Sequence, residues 1–508
     1  MSKDTPSSFD IQKDINDFLS KKYGGKVVIS NPSVEGGEEG VHAEQKKGDI
    51  HFELKPIELE NYLKKYIVQQ EDAIDVVATK ICTHFNRMAY EKKNPDKGKI
   101  VGGIKGNVLL IGPTGVGKTY MIKLIADKLG VPFVKGDATK FTETGYVGGD
   151  VEDLVRDLVR EANGDIAIAE YGIIYLDEVD KIASSTNHFG PDVSRSGVQR
   201  NLLKIMEDSD VDLKNPLDIA SQMEAAMQAQ KTGKIERKKI NTKNILFVMS
   251  GAFQGLIDII KKRLNTQQIG FIQDEKTKKN DELNWLKYVA KQDLIEFGFE
   301  SEFVGRLPIL AILDDLDVDG LYQILLNPNS SVILGKKRDF HAYGIDTEFE
   351  DKALKKIAEA SHKEKTGARG LVSVLEKILI KFEKFLPSTS IKKLVINEEL
   401  LDNPDIVLEK LLIQDAINRI IDEYIEKHGI TLTFTDNAKD SIKLKSKENK
   451  LTPYDYCHKI LTNYEYGLKL IGLSQFEVTD DVVNNYDHFL DDLIKNRSYS
   501  SVKQNKKV

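Results

Sequence analysis

The run Gly112-Pro113-Thr114-Gly115-Val116-Gly117-Lys118-Thr119 constrains this chain more than any other feature. Before it stands a wholly apolar stretch, Val108-Leu109-Leu110-Ile111, that reads as a buried strand, and a helix is expected from Lys118 onward. Strand, glycine-rich turn and helix in that order make the phosphate-binding loop G-x-x-x-x-G-K-[ST]. The glycines let backbone N–H groups close around phosphate oxygens, and the helix N-terminus adds positive potential. Lys118 then reaches the β- and γ-phosphates, and the Thr119 hydroxyl ligates magnesium.

Such a loop needs a second element that supplies an acid for the metal and a group to activate water. Ile173-Ile174-Tyr175-Leu176 ends in Asp177 and Glu178, so a buried strand delivers two carboxylates. Asp177 is expected to hold Mg2+, directly or through water, and Glu178 to activate the attacking water. Together the two motifs predict a nucleoside-triphosphate hydrolase.

At 508 residues the chain is long enough for about three domains. Over 56–310, short apolar runs alternate with helical ones, which predicts an α/β domain around a parallel sheet. Residues 311–402 read as a smaller, mainly helical lid domain whose clearest strand is Leu394-Val395-Ile396. Residues 1–55 form an N-terminal segment with an amphipathic helix over 11–19 and a Gly/Glu-rich linker at 35–40. The extension 403–508 repeats part of what precedes it. Gly429, Ile430, Phe434, Asp436, Ala438 and Ile442 reproduce the spacing of Gly344, Ile345, Phe349, Asp351, Ala353 and Ile357, which reads either as a diverged second copy of the lid or as a coincidental helix-start pattern.

A net charge of -7 argues against a general nucleic-acid binder. No apolar run reaches the roughly 20 residues of a membrane span. The polar start and the two isolated cysteines, Cys82 and Cys457, point to a cytoplasmic protein without a disulfide framework.

Six further stretches narrow the class. They are LKKYIVQQEDA from Leu63, Thr144-Gly145-Tyr146-Val147-Gly148, EYGIIYLDEVDKIA from Glu170, NILFVMSGAF from Asn244, Glu302-Phe303-Val304-Gly305-Arg306-Leu307-Pro308, and Thr366-Gly367-Ala368-Arg369-Gly370-Leu371. In this order they resemble the ATPase module of the ClpX family of AAA+ proteins, over about residues 56–400. The resemblance implies that ATP is the nucleotide, that Ile67 and Val68 pack on adenine, and that Ser250 is the polar residue of the sensor-1 strand. It implies that Arg306 reaches the γ-phosphate held by a neighbouring subunit of a homohexamer, and that Arg369 reaches the nucleotide of its own subunit from the lid. Tyr146, between Gly145 and Gly148 and beside Val147, would grip polypeptide in a central pore. At Gln69 the family usually has glycine.

Ile269-Gly270-Phe271 matches the loop by which ClpX docks on a ClpP-type peptidase; an anchor for a long loop is the competing reading. The four cysteines of the family's N-terminal zinc domain are missing before Cys82. Over 211–243 the family's glycine-rich segment is replaced by a stretch whose run 217–230 is rich in Met and Ala. That run is either a substrate-facing helix or packing on the rim. The expected activity is therefore ATP-driven unfolding and translocation of protein substrates, with no nucleic acid and no membrane. Its rivals are a stand-alone remodeller, an HslU-like subunit and a nucleic-acid-associated ATPase.

Overall fold

Strand β1 (Val108–Ile111) is buried at every residue, and its side chains alternate between two cores. Val108 and Leu110 enter one, Leu109 and Ile111 the other, as the two-residue period of a strand requires. The computed structural model describes residues 52–94, 105–142, 149–184, 193–213, 238–267 and 285–504. β2 (Phe133–Asp137), β3 (Ile173–Asp177), β6 (Leu246–Gly251) and β7 (Ile309–Ile312) join β1 in a five-stranded sheet of order β2-β3-β6-β1-β7. Every neighbouring pair is parallel, so helices must carry the chain back across the faces. Lys118–Leu129 does so after β1, Asp153–Glu161 after β2, Val193–Met206 after β3 and Leu256–Gln267 after β6. Between β3 and β6 the short strands β4 (Asp210–Asp212) and β5 (Lys239–Asn241) form a separate antiparallel ribbon.

The expected boundary at 310/311 falls inside β7, whose Ala311 and Ile312 still pair with Leu110 and Ile111. Beyond β7 come the helices Val318–Leu326 and Ser331–His341, then β8 (Asp346–Phe349), the helices Asp351–Lys363 and Ala368–Phe385, β9 (Lys393–Ile396) and the helix Glu398–Asp402. β8 and β9 pair in parallel. Leu371, Leu375, Leu379 and Phe382 belong to the same core as Val108 and Leu110, so one apolar mass runs from the sheet into the smaller, mainly helical part. The α/β class holds.

The helix Pro404–His428 divides its apolar face between two cores: Leu408 joins the first, while Ile420 and Tyr424 open a third that belongs to residues 420–493. A buried carboxylate fixes this junction, since Asp415 Oδ1 accepts from the Ser390 backbone N at 2.8 Å and from its hydroxyl at 2.5 Å. Next come β10 (Thr431–Phe434), the helices Asp436–Glu448, Pro453–Leu461 and Tyr464–Leu470, β11 (Gln475–Val478) and the helices Asp480–Asn484 and Tyr486–Gln504. β10 and β11 pair in parallel, as β8 and β9 do. No helix among the described residues is long and apolar enough to cross a membrane.

Candidate active site

Three strands of the sheet end on one edge, and the loops that leave them line a cavity of about 520 Å³. From β1 come Thr114, Gly115, Val116, Gly117, Lys118 and Thr119; from β3, Asp177 and Glu178; from β6, Gly251, Ala252 and Gln254. The crevice beyond the carboxyl ends of parallel strands is where open α/β sheets bind ligands. Gly117 takes φ 98° and starts the helix Lys118–Leu129, a conformation that glycine adopts without strain. Lys118 Nζ folds over the loop and donates to the carbonyls of Gly112 and Pro113, both at 2.6 Å. Burial, then Arg369, pushes the Lys118 ammonium down to about 8.

A polar network stands at the ends of β3 and β6. The Thr119 hydroxyl donates to Tyr175 Oη at 3.0 Å and lies 3.3 Å from Asp177 Oδ2. Ser250 Oγ donates to Asp177 Oδ1 at 2.7 Å and sits 2.6 Å from Tyr175 Oη. Lys135 of β2 reaches Asp177 Oδ2 at 3.1 Å. Burial would raise the Asp177 carboxyl, but the bonds from Ser250 and Lys135 outweigh it and hold the group below its ordinary value. Asp177 is thus an anion beside a hydroxyl, a donor set that suits a hard divalent cation. Glu178, next along the chain, lines the cavity in a left-handed conformation with φ 57°, strain that costs of order 1–3 kcal/mol and concentrates at functional sites.

The remaining walls divide by chemistry. Tyr66, Ile67, Val68, Leu316, Ile324, Val332 and Val372 offer an apolar surface to a flat ring, whereas Arg369 adds a cation from the helix Ala368–Phe385. That helix touches the loop directly, because Ala368 N donates to Gly115 O at 3.0 Å. A Cβ on Gly115 would lie 2.1 Å from Thr366 O, and one on Gly367, at φ 59°, 2.8 Å from Gly115 C. Glycine at both positions is what lets the two backbones meet. Gln69 also takes a glycine-like φ of 58°, and its amide donates to Asp317 Oδ1 at 3.0 Å, which offsets part of that strain.

Arg306 stands elsewhere. It precedes β7, whose Ile309 pairs with Val108 at the start of β1, so it lies at the edge of the sheet opposite the cavity. A rise of about 3.3 Å per residue separates the two edges by roughly 10 Å along β1 alone. Gly145, Tyr146, Val147 and Gly148, Ile269, Gly270 and Phe271, and most of 211–243 lie outside the described residues. Sequence reasoning missed Tyr175, Lys135, Tyr66 and Val332. Only Tyr175 carried a signal, as the one hydroxyl among the aliphatic residues that lead to Asp177 in β3.

Residues 104–310 match the AAA domain (Cdc48 subfamily), and residues 334–381 match the C-terminal, D2-small domain, of ClpB protein. The ATP-dependent Clp protease ATP-binding subunit ClpX of Borrelia duttonii is 41% identical over 362 residues, which are 69% of this chain and 79% of that relative. Proteins of the same name from Treponema denticola (38% over 352 residues, 68% and 81%) and Bacteroides thetaiotaomicron (37% over 341 residues, 67% and 79%) are also similar.

Proposed function

The chain belongs to the ClpX family of AAA+ ATPases, and from that premise we propose that it unfolds proteins and threads them through the pore of a homohexameric ring. The observation that carries this reading is the cavity itself, where the phosphate loop, two carboxylates and a lid arginine converge. Bound there, Mg2+ would neutralise charge on the β- and γ-phosphates, with Thr119 and Asp177 as its protein ligands. Lys118 binds the phosphates, Ile67 and Val68 hold the adenine, and the Glu178 carboxylate takes the proton of the attacking water. Ser250 keeps Asp177 ionised and aimed. Arg369 pairs with the nucleotide from the lid and ties its orientation to nucleotide state. Arg306, held away from its own cavity, completes the cavity of the next subunit, so hydrolysis requires the ring.

Lid rotation moves Tyr146, flanked by Gly145, Val147 and Gly148, along the channel and pulls polypeptide with it. Ile269, Gly270 and Phe271 insert into an apolar cleft of a ClpP-type peptidase; the name that the relatives carry, a Clp protease subunit, supports this partner. Residues 403–508 are a second, diverged lid that rides on the first. The machine is soluble and cytoplasmic, and takes protein rather than nucleic acid as substrate.

The test is loss of fluorescence from a tagged folded protein, with and without ClpP-type peptidase. ATP-dependent unfolding is expected, followed by degradation only with the peptidase. Ile269→Ala plus Phe271→Ala should stop degradation and spare unfolding. A Glu178→Gln chain should hold ATP and polypeptide without turnover; failure to retain polypeptide while binding ATP would rule out the unfoldase.

A further inference from the structure

Arg306 is built into a polar platform that the hydrolysis site does not explain. Its backbone carbonyl accepts from Asn107 Nδ2 at 3.1 Å, and Asn107, almost fully buried ahead of β1, accepts in turn from the Phe247 backbone N at 3.3 Å. The guanidinium, half exposed, forms an ion pair with Glu207, Nη2 lying 2.5 Å from Oε1. Glu207 closes the helix Val193–Met206, and its own backbone carbonyl is doubly held: Lys105 Nζ donates to it at 2.9 Å and Thr242 Oγ1 at 2.7 Å. Lys105 Nζ also donates to Thr242 O at 2.6 Å, and Thr242 is fully buried. Burial pushes the Lys105 ammonium down to about 7, while its Nζ stays bonded to the carbonyls of Glu207 and Thr242.

We propose that Glu207 is the positioning residue of the arginine that acts on the neighbouring subunit: its carboxylate pairs with the Arg306 guanidinium and sets the direction of that side chain before it meets phosphate oxygens. An arginine carries five N–H donors in a planar fork, so pairing with one carboxylate sets its direction without using up its capacity. A long exposed side chain loses rotamer freedom when it grips a ligand, and a platform that fixes it beforehand removes that loss from the transition state. This rests on the reading that Arg306 acts across a subunit boundary.

The experiment compares ATP turnover of the assembled ring for Arg306→Ala, Glu207→Ala, Glu207→Gln and Arg306→Ala plus Glu207→Ala, with nucleotide affinity and ring assembly measured alongside. Glu207→Ala should lower kcat by about tenfold or more with KM for ATP little changed, because misplacement by about 1 Å costs up to a hundredfold. Glu207→Gln, which keeps an acceptor, should recover most of the loss. Adding Glu207→Ala to Arg306→Ala should cost nothing further, since the carboxylate acts only through the arginine. Glu207 variants that turn over like the parent, or faster, overturn the proposal, as does a further loss of similar size in the double variant. If Arg306→Ala itself keeps full turnover in an intact ring, the reading of Arg306 and this inference fall together.

Discussion

The segments 346–402 and 431–484 are built alike, yet only the first, through Ala368, Arg369 and Val372, lines the cavity beside the phosphate loop. Each contains a thirteen-residue helix opened by aspartate, Asp351–Lys363 and Asp436–Glu448. Ala353, Ile357 and Ser361 are buried in one, Ala438, Ile442 and Ser446 in the other, down to a buried serine at the same step. The paired strands share burial patterns, and a five-residue helix follows each second strand, with Leu400 and Val482 buried at the same position. The difference lies at the next helix. The lid enters it through Gly367 and presents Arg369 to the cavity. The extension enters through Thr452, whose hydroxyl caps the Asp455 N–H, and carries Tyr454 as the second helical residue. Tyr454 turns inward instead: its hydroxyl donates to Glu423 at 2.5 Å, and the Arg419 guanidinium stacks 3.7 Å from its ring centroid. The two segments thus share strands and helices and differ at one helix start, where only the first carries an arginine that lines the cavity.

The sharpest way to break this comparison is to truncate the two matched residues. Arg369→Ala should lower ATP turnover roughly a hundredfold, the scale of removing one preorganised charge donor. Tyr454→Ala should leave turnover within about twofold and appear only as a lowered Tm. Equal losses of turnover would mean that the extension, too, acts on the nucleotide.

Next in size are the helix entries. Gly367→Ala forces a Cβ into a left-handed residue against the Gly115 backbone, a strain of about 1–3 kcal/mol. ATP affinity, followed by titration with a fluorescent analogue, should weaken about tenfold. Thr452→Ala removes an N-cap worth about 1 kcal/mol, so it should lower Tm and spare affinity.

The smallest effect is in pH. Burial and Arg369 depress Lys118 to about 8, and only its charged form pairs with phosphate. ATP affinity should be full below that pH and fall as pH rises through it. Arg369→Ala removes a repelling charge, so the midpoint should move up; Tyr454→Ala should leave it unchanged.

Local motifs were legible in the sequence because their chemistry is contiguous. The strand, loop and helix around Lys118 and the acids after β3 need only a few neighbouring residues to be recognised. Matched residues from Gly344 to Ile357 and from Gly429 to Ile442 fall on a turn, a strand and a helix in both places, for the same reason. Lys135 and Tyr175 could not be read that way. Their bonds to Asp177, Thr119 and Ser250 exist only because β2, β3 and β6 lie side by side, a pairing that the linear pattern does not specify. Glu207 was hidden likewise, since its contact with Arg306 bridges ninety-nine positions. The boundary at β7 was blurred because a strand ending in Leu310, Ala311 and Ile312 runs into Leu313 without any break in composition.

The central claim, that one subunit's cavity is completed by the arginine of the next, is tested most directly by mixing two inactive chains. A Glu178→Gln chain keeps Arg306, and an Arg306→Ala chain keeps Glu178. Co-assembled in equal amounts, they should regain about a quarter of the parent ATP turnover, because about one cavity in four then has an intact carboxylate and a neighbour's arginine. A mixed ring that binds ATP and stays inactive would contradict the account.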